Sequence, residues 1–341
     1  MTNSEPPFDI TNEMIAQIAE IAELVGKIST TQLDRNPTLR RKNRILTIHS
    51  SLCIEQNTLT LEQVTAVLNG KQVLAPPKDI AEVQNAYEIY ENLELLDPYS
   101  CTDLLKAHGV MMHGLIAYPG EFRDRPVGVV DSQTGQIIHF GTLPAYVPDA
   151  VEKLLCWAKE SDVHMLLKSC VFHYELALIH PFFDGNGRIG RLWHTLMLSK
   201  WNPIFAWLPV EFMIYKRQQE YYRVINACNN ACASTQFIVF MLETILMTLQ
   251  EATSVSDQVG DQDNDQVSDQ VKQLMKALGT EELSALELMH RLQISHRPTF
   301  RKNYLNPALE QGYIERTIPD KPSSRNQKYR SVKKHLFGSG Q

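Results

Sequence analysis

No run of this 341-residue sequence is long and apolar enough to cross a bilayer, so no membrane-embedded part and no membrane partner are expected. The N-terminal Met1-Thr-Asn-Ser-Glu-Pro-Pro is polar, and the run from Ile15 to Leu24 is broken by Glu20 and Glu23, which sets aside a secretory leader in this stretch. No CxxC pair occurs among the six cysteines, Cys53, Cys101, Cys156, Cys170, Cys228 and Cys232. The thiols are scattered in mostly apolar helical context and read as buried free cysteines of a reducing, cytoplasmic compartment. Cys228 and Cys232 share a helix face at i, i+4, but without a second pair nearby they are not expected to hold a metal. From Glu251 to Gln270 there is no Lys or Arg, against six acids: Glu251, Asp257, Asp261, Asp263, Asp265 and Asp269. Near-repeats fill the same stretch (Ser256-Asp-Gln-Val, Asn264-Asp-Gln-Val, Ser268-Asp-Gln-Val), and low complexity with like charge predicts a solvated linker over 251–266.

What is present points to a folded enzyme. A hydrophobic content of 43% with 21% charged residues supports folding of most of the chain, and 341 residues exceed the usual single-domain size, so at least two cores are expected. The densest chemistry lies in His180-Pro-Phe182-Phe-Asp184-Gly185-Asn186-Gly187-Arg188-Ile-Gly-Arg191. Within twelve residues it offers a proton acceptor, a carboxylate able to hold a metal, a turn whose backbone N–H groups can cradle an anion, and two guanidinium groups. Downstream, Ile189, Leu192, Trp193 and Leu196 fall at i, i+3, i+4 and i+7, predicting a helix with one buried face that starts in this turn. Its free N–H groups and positive dipole end then point at the same anion. Arg188 and Arg191 sit one turn apart near that start, where cations oppose the dipole unless an anion lies between them. Upstream, 163–179 is long, apolar and free of Pro and Gly, and reads as a buried helix that ends at His180 before Pro181. Each of these residues alone is commonplace; a lone His caps helices and Asp-Gly-Asn-Gly forms ordinary turns. Their order is what carries meaning.

The segment resembles the signature of the Fic family, HxFx(D/E)GNGRxxR, with no departure at any signature position. The resemblance implies a mostly α fold: a Fic-type helical bundle with a small β-hairpin flap. It implies adenylylation, the transfer of AMP from ATP to a protein Ser, Thr or Tyr hydroxyl with release of diphosphate. By it His180 is the general base and Asp184 holds Mg²⁺ (or Mn²⁺). Gly185, Asn186, Gly187 and the loop amides grip the α-phosphate side, and Arg188 and Arg191 neutralise the β and γ phosphates. Phe182 is expected to be a core anchor only.

Two further segments fit the same resemblance. Ser50-Ser51-Leu-Cys-Ile54-Glu55-Gln56-Asn57 is similar to the family's inhibitory helix, (S/T)xxxE(G/N), here about 44–56, with Ser51 and Glu55 matching and Gln56 departing. In such relatives the Glu reaches the last signature Arg, here Arg191, and keeps the γ-phosphate from its productive position. One guanidinium can pair bidentately with a carboxylate or a phosphate, not both. Gly120-Glu-Phe122-Arg123, then Val127 and Val129, and after Asp131–Gly135 the residues Ile137, Ile138 and Phe140, read as two short strands about a Gly-containing turn. That hairpin is similar to the flap that overhangs the family's site, whose edge can pair with an extended segment of a protein target. The resemblance also places Phe140, Gly141, Thr142, Tyr221, Tyr222 and Asn229 near the nucleotide, although paired tyrosines on an amphipathic helix commonly face a core.

Beyond the acidic stretch the charge reverses, with eleven Lys or Arg against three acids from Arg291 to Lys334, a basic module hidden by the net charge of -6. Helices are expected at 267–278, 282–292 and 298–311, then strands at Tyr313–Arg316 and Gln327–Arg330. Three helices and a basic wing resemble a winged helix, here a small α+β domain, a module that binds DNA in some proteins and docks protein in others. For DNA, Arg297, Thr299, Arg301, Lys302 and Asn303 would face the major groove and Lys321, Arg325 and Lys328 the phosphates. The expected organisation is an N-terminal helical region (1–110), a catalytic core (111–250), the acidic linker (251–266) and the C-terminal domain (267–336). Three functions stay open: an adenylyltransferase checked by Glu55, with relatives often dimeric; a Fic enzyme that removes AMP or moves another nucleotide-derived group; or a DNA-binding regulator whose core senses nucleotide.

Overall fold

Apolar residues recur at helical spacing along most of the chain, and helices are what form. The structure is a computed structural model and describes residues 5–30, 37–130, 137–262, 269–279, 281–292, 294, 296–310, 313–318, 324 and 327–332. Its first unit, Met1–Ser256, opens with α1 (Asn12–Thr30), which turns Met14, Ile21, Val25 and Ile28 inward. Then come α2 (Pro37–Ile54), α3 (Leu61–Leu68), α4 (Pro77–Glu91) and α5 (Cys101–Met111). A hairpin of β1 (Gly128–Val130) and β2 (Ile137–Phe140) follows, antiparallel, with Gly128 opposite Phe140 and a break in register between Val129 and Val130. Its tip, 131–136, lies outside the described residues. The first expected strand does not reach back to Gly120: Arg123 is buried and Phe122 packs on Phe182 at 5.8 Å, both outside any strand.

The bundle closes with α6 (Val147–Glu160), α7 (Met165–Ile179), α8 (Asn186–Trp201), α9 (Val210–Lys216), α10 (Gln218–Ala231) and α11 (Thr235–Gln262). The central pair α7 and α8 packs side by side. Ile189, Leu192, Trp193 and Leu196 are fully buried, but so are their neighbours Gly190, Arg191, His194, Thr195 and Met197, so α8 is buried around its whole girth where the spacing predicts one face. One apolar core runs from Met14 to Leu249 and joins the expected N-terminal region to the catalytic core. All six cysteines are free, but Cys156 and Cys232 are exposed, against the expectation that they are buried. Helix α11 continues to Gln262, so the expected linker is helical over most of its length: a helix nucleated by buried Phe237, Ile238, Met241, Leu242 and Ile245 propagates at little cost beyond them. Among the described residues no helix is long and apolar enough to cross a membrane.

The second unit, Asp257–Gln341, has its own core. Helix α12 (Asp269–Leu278) buries Val271, Leu274, Met275 and Leu278. The second expected helix loses its start to a strand, β3 (Leu283–Ser284), and only α13 (Ala285–Arg291) remains, capped by Ser284 and Glu287 in a reciprocal box. The third expected helix is broken into α14 (Arg297–Phe300), a π turn at Arg301–Leu305 and α15 (Asn306–Glu310). Pro307 has no N–H and its ring crowds the preceding turn, which widens so that the Asn306 N–H reaches the Arg301 carbonyl. Strands β4 (Ile314–Arg316) and β5 (Lys328–Ser331) join β3 in a three-stranded antiparallel sheet of order β3-β5-β4. Lys321 and Arg325, and the side chain of Lys302, lie outside the described residues, while Arg297, Thr299, Arg301, Asn303 and Lys328 are exposed.

Candidate active site

Pro181 disfavours helical backbone at the residue before it, and α7 duly ends on His180, which takes a left-handed conformation (φ 53, ψ 61). The His180 Nδ1 lies 3.3 Å from the Ala177 carbonyl, which only accepts, so Nδ1 is the donor there. Arg123 fixes this helix end. Its Nε donates to the His180 carbonyl at 2.7 Å, Nη1 to the Arg125 carbonyl at 2.9 Å, and Nη2 to the carbonyls of Thr142 and Ile179. The Arg123 N–H donates to the Pro181 carbonyl as well. One buried guanidinium therefore ties the hairpin's base to the histidine, a role that a strand-like reading of Gly120–Arg123 does not reveal.

The loop from Phe182 to Gly185 is bracketed from two sides. Asn186 accepts from the Phe182 N–H at 2.9 Å and donates to the Phe182 carbonyl at 2.8 Å, so its side chain builds the loop. It is also the first residue of α8; the left-handed turn residue is Gly185 (φ 83), where a β-carbon would strike Met112. Opposite, His108 accepts from the Gly120 N–H through Nδ1 (2.8 Å), so its Nε2 donates to the Asp184 carbonyl (3.0 Å), and the ring stacks on Phe182 at 3.7 Å. Burial pulls the His108 pKa down to about 4 and keeps the ring neutral. Ile189 is the first residue of α8 whose N–H is taken within the helix, by the Gly185 carbonyl, which leaves the preceding N–H groups at the turn outside the helical ladder.

Two arginines near a helix start require anions, and the chain supplies its own carboxylates. Arg191, 1% exposed, donates through Nη2 to Glu55 Oε1 (2.8 Å) and to the Ser51 carbonyl (3.0 Å), and through Nε to Ser51 Oγ (3.0 Å). Burial opposes its charge, yet the Glu55 carboxylate together with the nearby Tyr221 and Tyr222 hydroxyls raises the guanidinium above its ordinary pKa. The Ser51 carbonyl is available because α2 ends tightly. The Gln56 N–H bonds back to the Cys53 carbonyl and the Asn57 N–H to the Leu52 carbonyl, a Schellman closure with Gln56 left-handed (φ 67) at the position where the family pattern has Gly or Asn. A β-carbon at Gly187 would collide with Glu55 Oε1, so the carboxylate lies directly over the start of α8.

Arg188, 3% exposed, is expected to meet phosphates but is shared between two carboxylates, Glu82 Oε1 at 3.2 Å and Asp184 Oδ1 at 3.1 Å. Glu82, on α4, is a site residue that nothing in the local sequence marks. The fit of a divalent ion can be judged from Asp184, whose Oδ1 is used by Arg188 and by the Gly185 N–H (2.6 Å) while the side chain is 49% exposed. Among the described residues no three His, Cys, Asp or Glu side chains gather as a metal cage. One half-exposed hard carboxylate beside a helix start suits Mg²⁺ or Mn²⁺ arriving with phosphate oxygens.

The remaining candidates divide. Gly141 packs against the His180 side chain, the Thr142 N–H donates to the Ile179 carbonyl at 3.1 Å, and Phe140 is exposed beside them, so Phe140–Thr142 stand with His180. Tyr221 is buried beside His173, Phe237 and Phe240, with its hydroxyl 3.0 Å from His173 Nε2, and the same hydroxyl lies within hydrogen-bonding and electrostatic reach of Arg191. Its neighbour Tyr222 is exposed and within electrostatic reach of Glu55 and Arg191. Asn229 accepts from the Tyr174 hydroxyl at 3.0 Å.

Comparison with known proteins gives this geometry a context. Residues 98–198 match the Fic/DOC family, and residues 269–331 match the C-terminal domain of Fic-like proteins, "Filamentation induced by cAMP protein Fic-like". The crystal structure of a Fic family protein from Desulfovibrio desulfuricans G20 is similar over 98% of this chain and 100% of that one, at 46% identity and a TM-score of 0.75. Protein adenylyltransferase fic-1 of Caenorhabditis elegans is 29% identical over 214 residues, 58% of this chain and 39% of that protein. Protein adenylyltransferase Fic of Nematostella vectensis is 26% identical over 195 residues, 54% of this chain and 43% of that protein. The chain thus spans less than half the length of these two relatives.

Proposed function

The chain belongs to the Fic family, and from that premise we propose that it transfers AMP from ATP to a Ser, Thr or Tyr hydroxyl of a protein, itself included, under restraint by Glu55. The observation that carries this reading is the place of His180 at the end of α7, beside the hairpin base, with Nδ1 turned to the Ala177 carbonyl and the start of α8 one short loop away. A segment of the target pairs along the hairpin and brings its hydroxyl to His180. His180 Nε2 takes the hydroxyl proton as the oxygen bonds to the α-phosphorus. The bond from that phosphorus to the bridging oxygen breaks, and diphosphate leaves. A positioned base is worth about 10²- to 10⁴-fold, and the rest comes from placement and charge neutralisation. Asp184 would hold the divalent ion, which neutralises phosphate charge. With Glu55 in place Arg191 Nη2 is engaged and a carboxylate stands over Gly187 where the terminal phosphate would approach; release of Glu55 frees both. Gly187 favours AMP transfer over phosphotransfer, because phosphotransferase relatives carry Lys there.

Intact mass spectrometry of Glu55→Gly incubated with ATP and Mg²⁺ tests the reading. A gain of one AMP supports it; a phosphate or no gain in the presence of candidate targets overturns it. Loss of AMP from a premodified target would point instead to removal of AMP.

A second reading concerns the C-terminal unit, where Arg297 and Arg301 are exposed with Thr299 and Asn303 on one helical stretch and Lys328 is exposed on β5. These cations suit a duplex DNA ligand and a regulatory role. Binding to duplex DNA that weakens steeply with salt supports it, and no binding at low salt removes it.

A further inference from the structure

Glu82 has no part in the chemistry above, yet it is a buried carboxylate, 5% exposed, whose two oxygens serve two different elements. Oε1 accepts from Arg188 Nη1 at 3.2 Å, and Arg188 Nη2 in turn holds Asp184 Oδ1 at 3.1 Å. Oε2 accepts from Asn57 Nδ2 at 2.8 Å. Asn57 is the residue that closes the turn carrying Glu55, and α4 grips that turn at two further points: the Asp79 carbonyl accepts from Asn57 Nδ2 (3.2 Å), and Asp79 Oδ2 accepts from the Thr58 N–H (3.1 Å). A carboxylate buried for packing alone would be costly unless its partners compensate it, and here the partners are the groups flanking both halves of the site.

We propose that Glu82 is a positioning residue that couples the two halves: through Arg188 it aims the Asp184 carboxylate, and through Asn57 it holds the turn so that Glu55 stays over Gly187. The proposal rests on the reading of Asp184 as the carboxylate for the divalent ion and of Glu55 as the restraint. Its signature is that cutting one oxygen's bond moves one property and leaves the other. Asn57→Ala cuts the turn's bonds to Glu82 and to the Asp79 carbonyl and leaves the Arg188 side intact. Glu82→Gln keeps the side-chain shape, turns an N–H toward Asn57 and removes the charge facing Arg188, so both sides suffer.

The test is calorimetric binding of ATP, with Mg²⁺ titrated, in the full chain with and without Glu55→Gly. Asn57→Ala, which removes the bonds of the turn to Glu82, Asp79 and Leu59, is expected to tighten ATP binding about threefold to tenfold when Glu55 is present, and by less than about twofold in the Glu55→Gly background. Glu82→Gln is expected to raise the Mg²⁺ needed for half-saturation by a similar factor in the Glu55→Gly background, while binding of ATP without metal is unchanged. Equal shifts in both backgrounds, or no shift in either, would overturn the coupling and leave Glu82 a packing residue. If Glu55→Gly does not itself tighten ATP binding, the restraint reading fails, and the Mg²⁺ shift in Glu82→Gln then decides the remaining half. Should Glu82→Gln not fold, as judged by its melting curve, Arg188→Lys tests the same Mg²⁺ shift.

Discussion

The carboxylate of Glu55 covers Gly187 so closely that a β-carbon at 187 would collide with Oε1, and the same oxygen accepts from Arg191 Nη2 at 2.8 Å. A negative group is therefore already seated at the positive end of α8, where a phosphate would go. Glycine at 187 serves both occupants, since it lets either an internal carboxylate or an external anion approach the backbone.

Removing that carboxylate leaves Arg191 buried without its ion-pair partner, held by the two Ser51 acceptors and beside the Tyr221 hydroxyl. Glu55→Gly should lower stability by about 1–3 kcal/mol, the usual loss when a charged hydrogen-bond partner is taken away. ATP should then raise its melting temperature more than it raises that of the unaltered protein, because ligand binding stabilises by RT ln(1 + [L]/Kd). Thermal shifts with and without ATP measure both effects; equal ATP-induced shifts would refute competition for Arg191.

His180→Ala should leave ATP affinity within about twofold and lower AMP transfer by at least about 10²-fold in the Glu55→Gly background. Labelled-nucleotide incorporation and calorimetry separate the two quantities. Retained transfer would remove His180 as the base.

Gln56 holds a left-handed conformation (φ 67) that a side chain tolerates poorly. Gln56→Gly should stabilise the protein by about 0.5–1 kcal/mol, seen as a higher urea midpoint at unchanged m-value. An unchanged or lower midpoint would mean that the Gln56 side chain contributes more than its backbone costs.

Stability should fall on both sides of neutral-to-mildly-acid pH. Burial raises the Glu175 pKa from 4.5 to about 7, so the native state binds the extra proton between those values and stability declines as pH rises through them. Burial lowers the His108 pKa from 6.5 to about 4, so there the unfolded state binds the proton and stability is lost as pH falls from 6.5 toward 4. Each group contributes at about 1.4 kcal/mol per pKa unit at most. Melting temperatures across pH should show Glu175→Gln gaining over the parent at pH 8 but not at pH 4.5; parallel curves would contradict the burial effect.

The candidate site was legible where chemistry and backbone demands fall within one short segment. His180, Asp184, Gly185 and the start of α8 follow from Pro181, from the glycines and from the apolar spacing after them. Ser51 and Glu55 were legible as a pattern, with their target Arg191 named by resemblance. Glu82, His108 and Arg123 were not legible, because each acts through at least one contact 57 to 106 residues away in sequence and sits in an ordinary helical or loop context. The C-terminal helix at 298–311 was legible as helical but not as broken, since the effect of Pro307 depends on how the turn before it can widen.

The sequence by itself determined the helical character, the left-handed turn before α8 and the set of groups able to handle phosphate, because backbone sterics and helix periodicity act over a few residues. Only the tertiary structure decided how the charges pair. Arg188 went to Glu82 and Asp184, and Arg191 to Glu55 and Ser51, because a buried charge must find a partner within hydrogen-bond reach, and reach is set by packing and not by position along the chain.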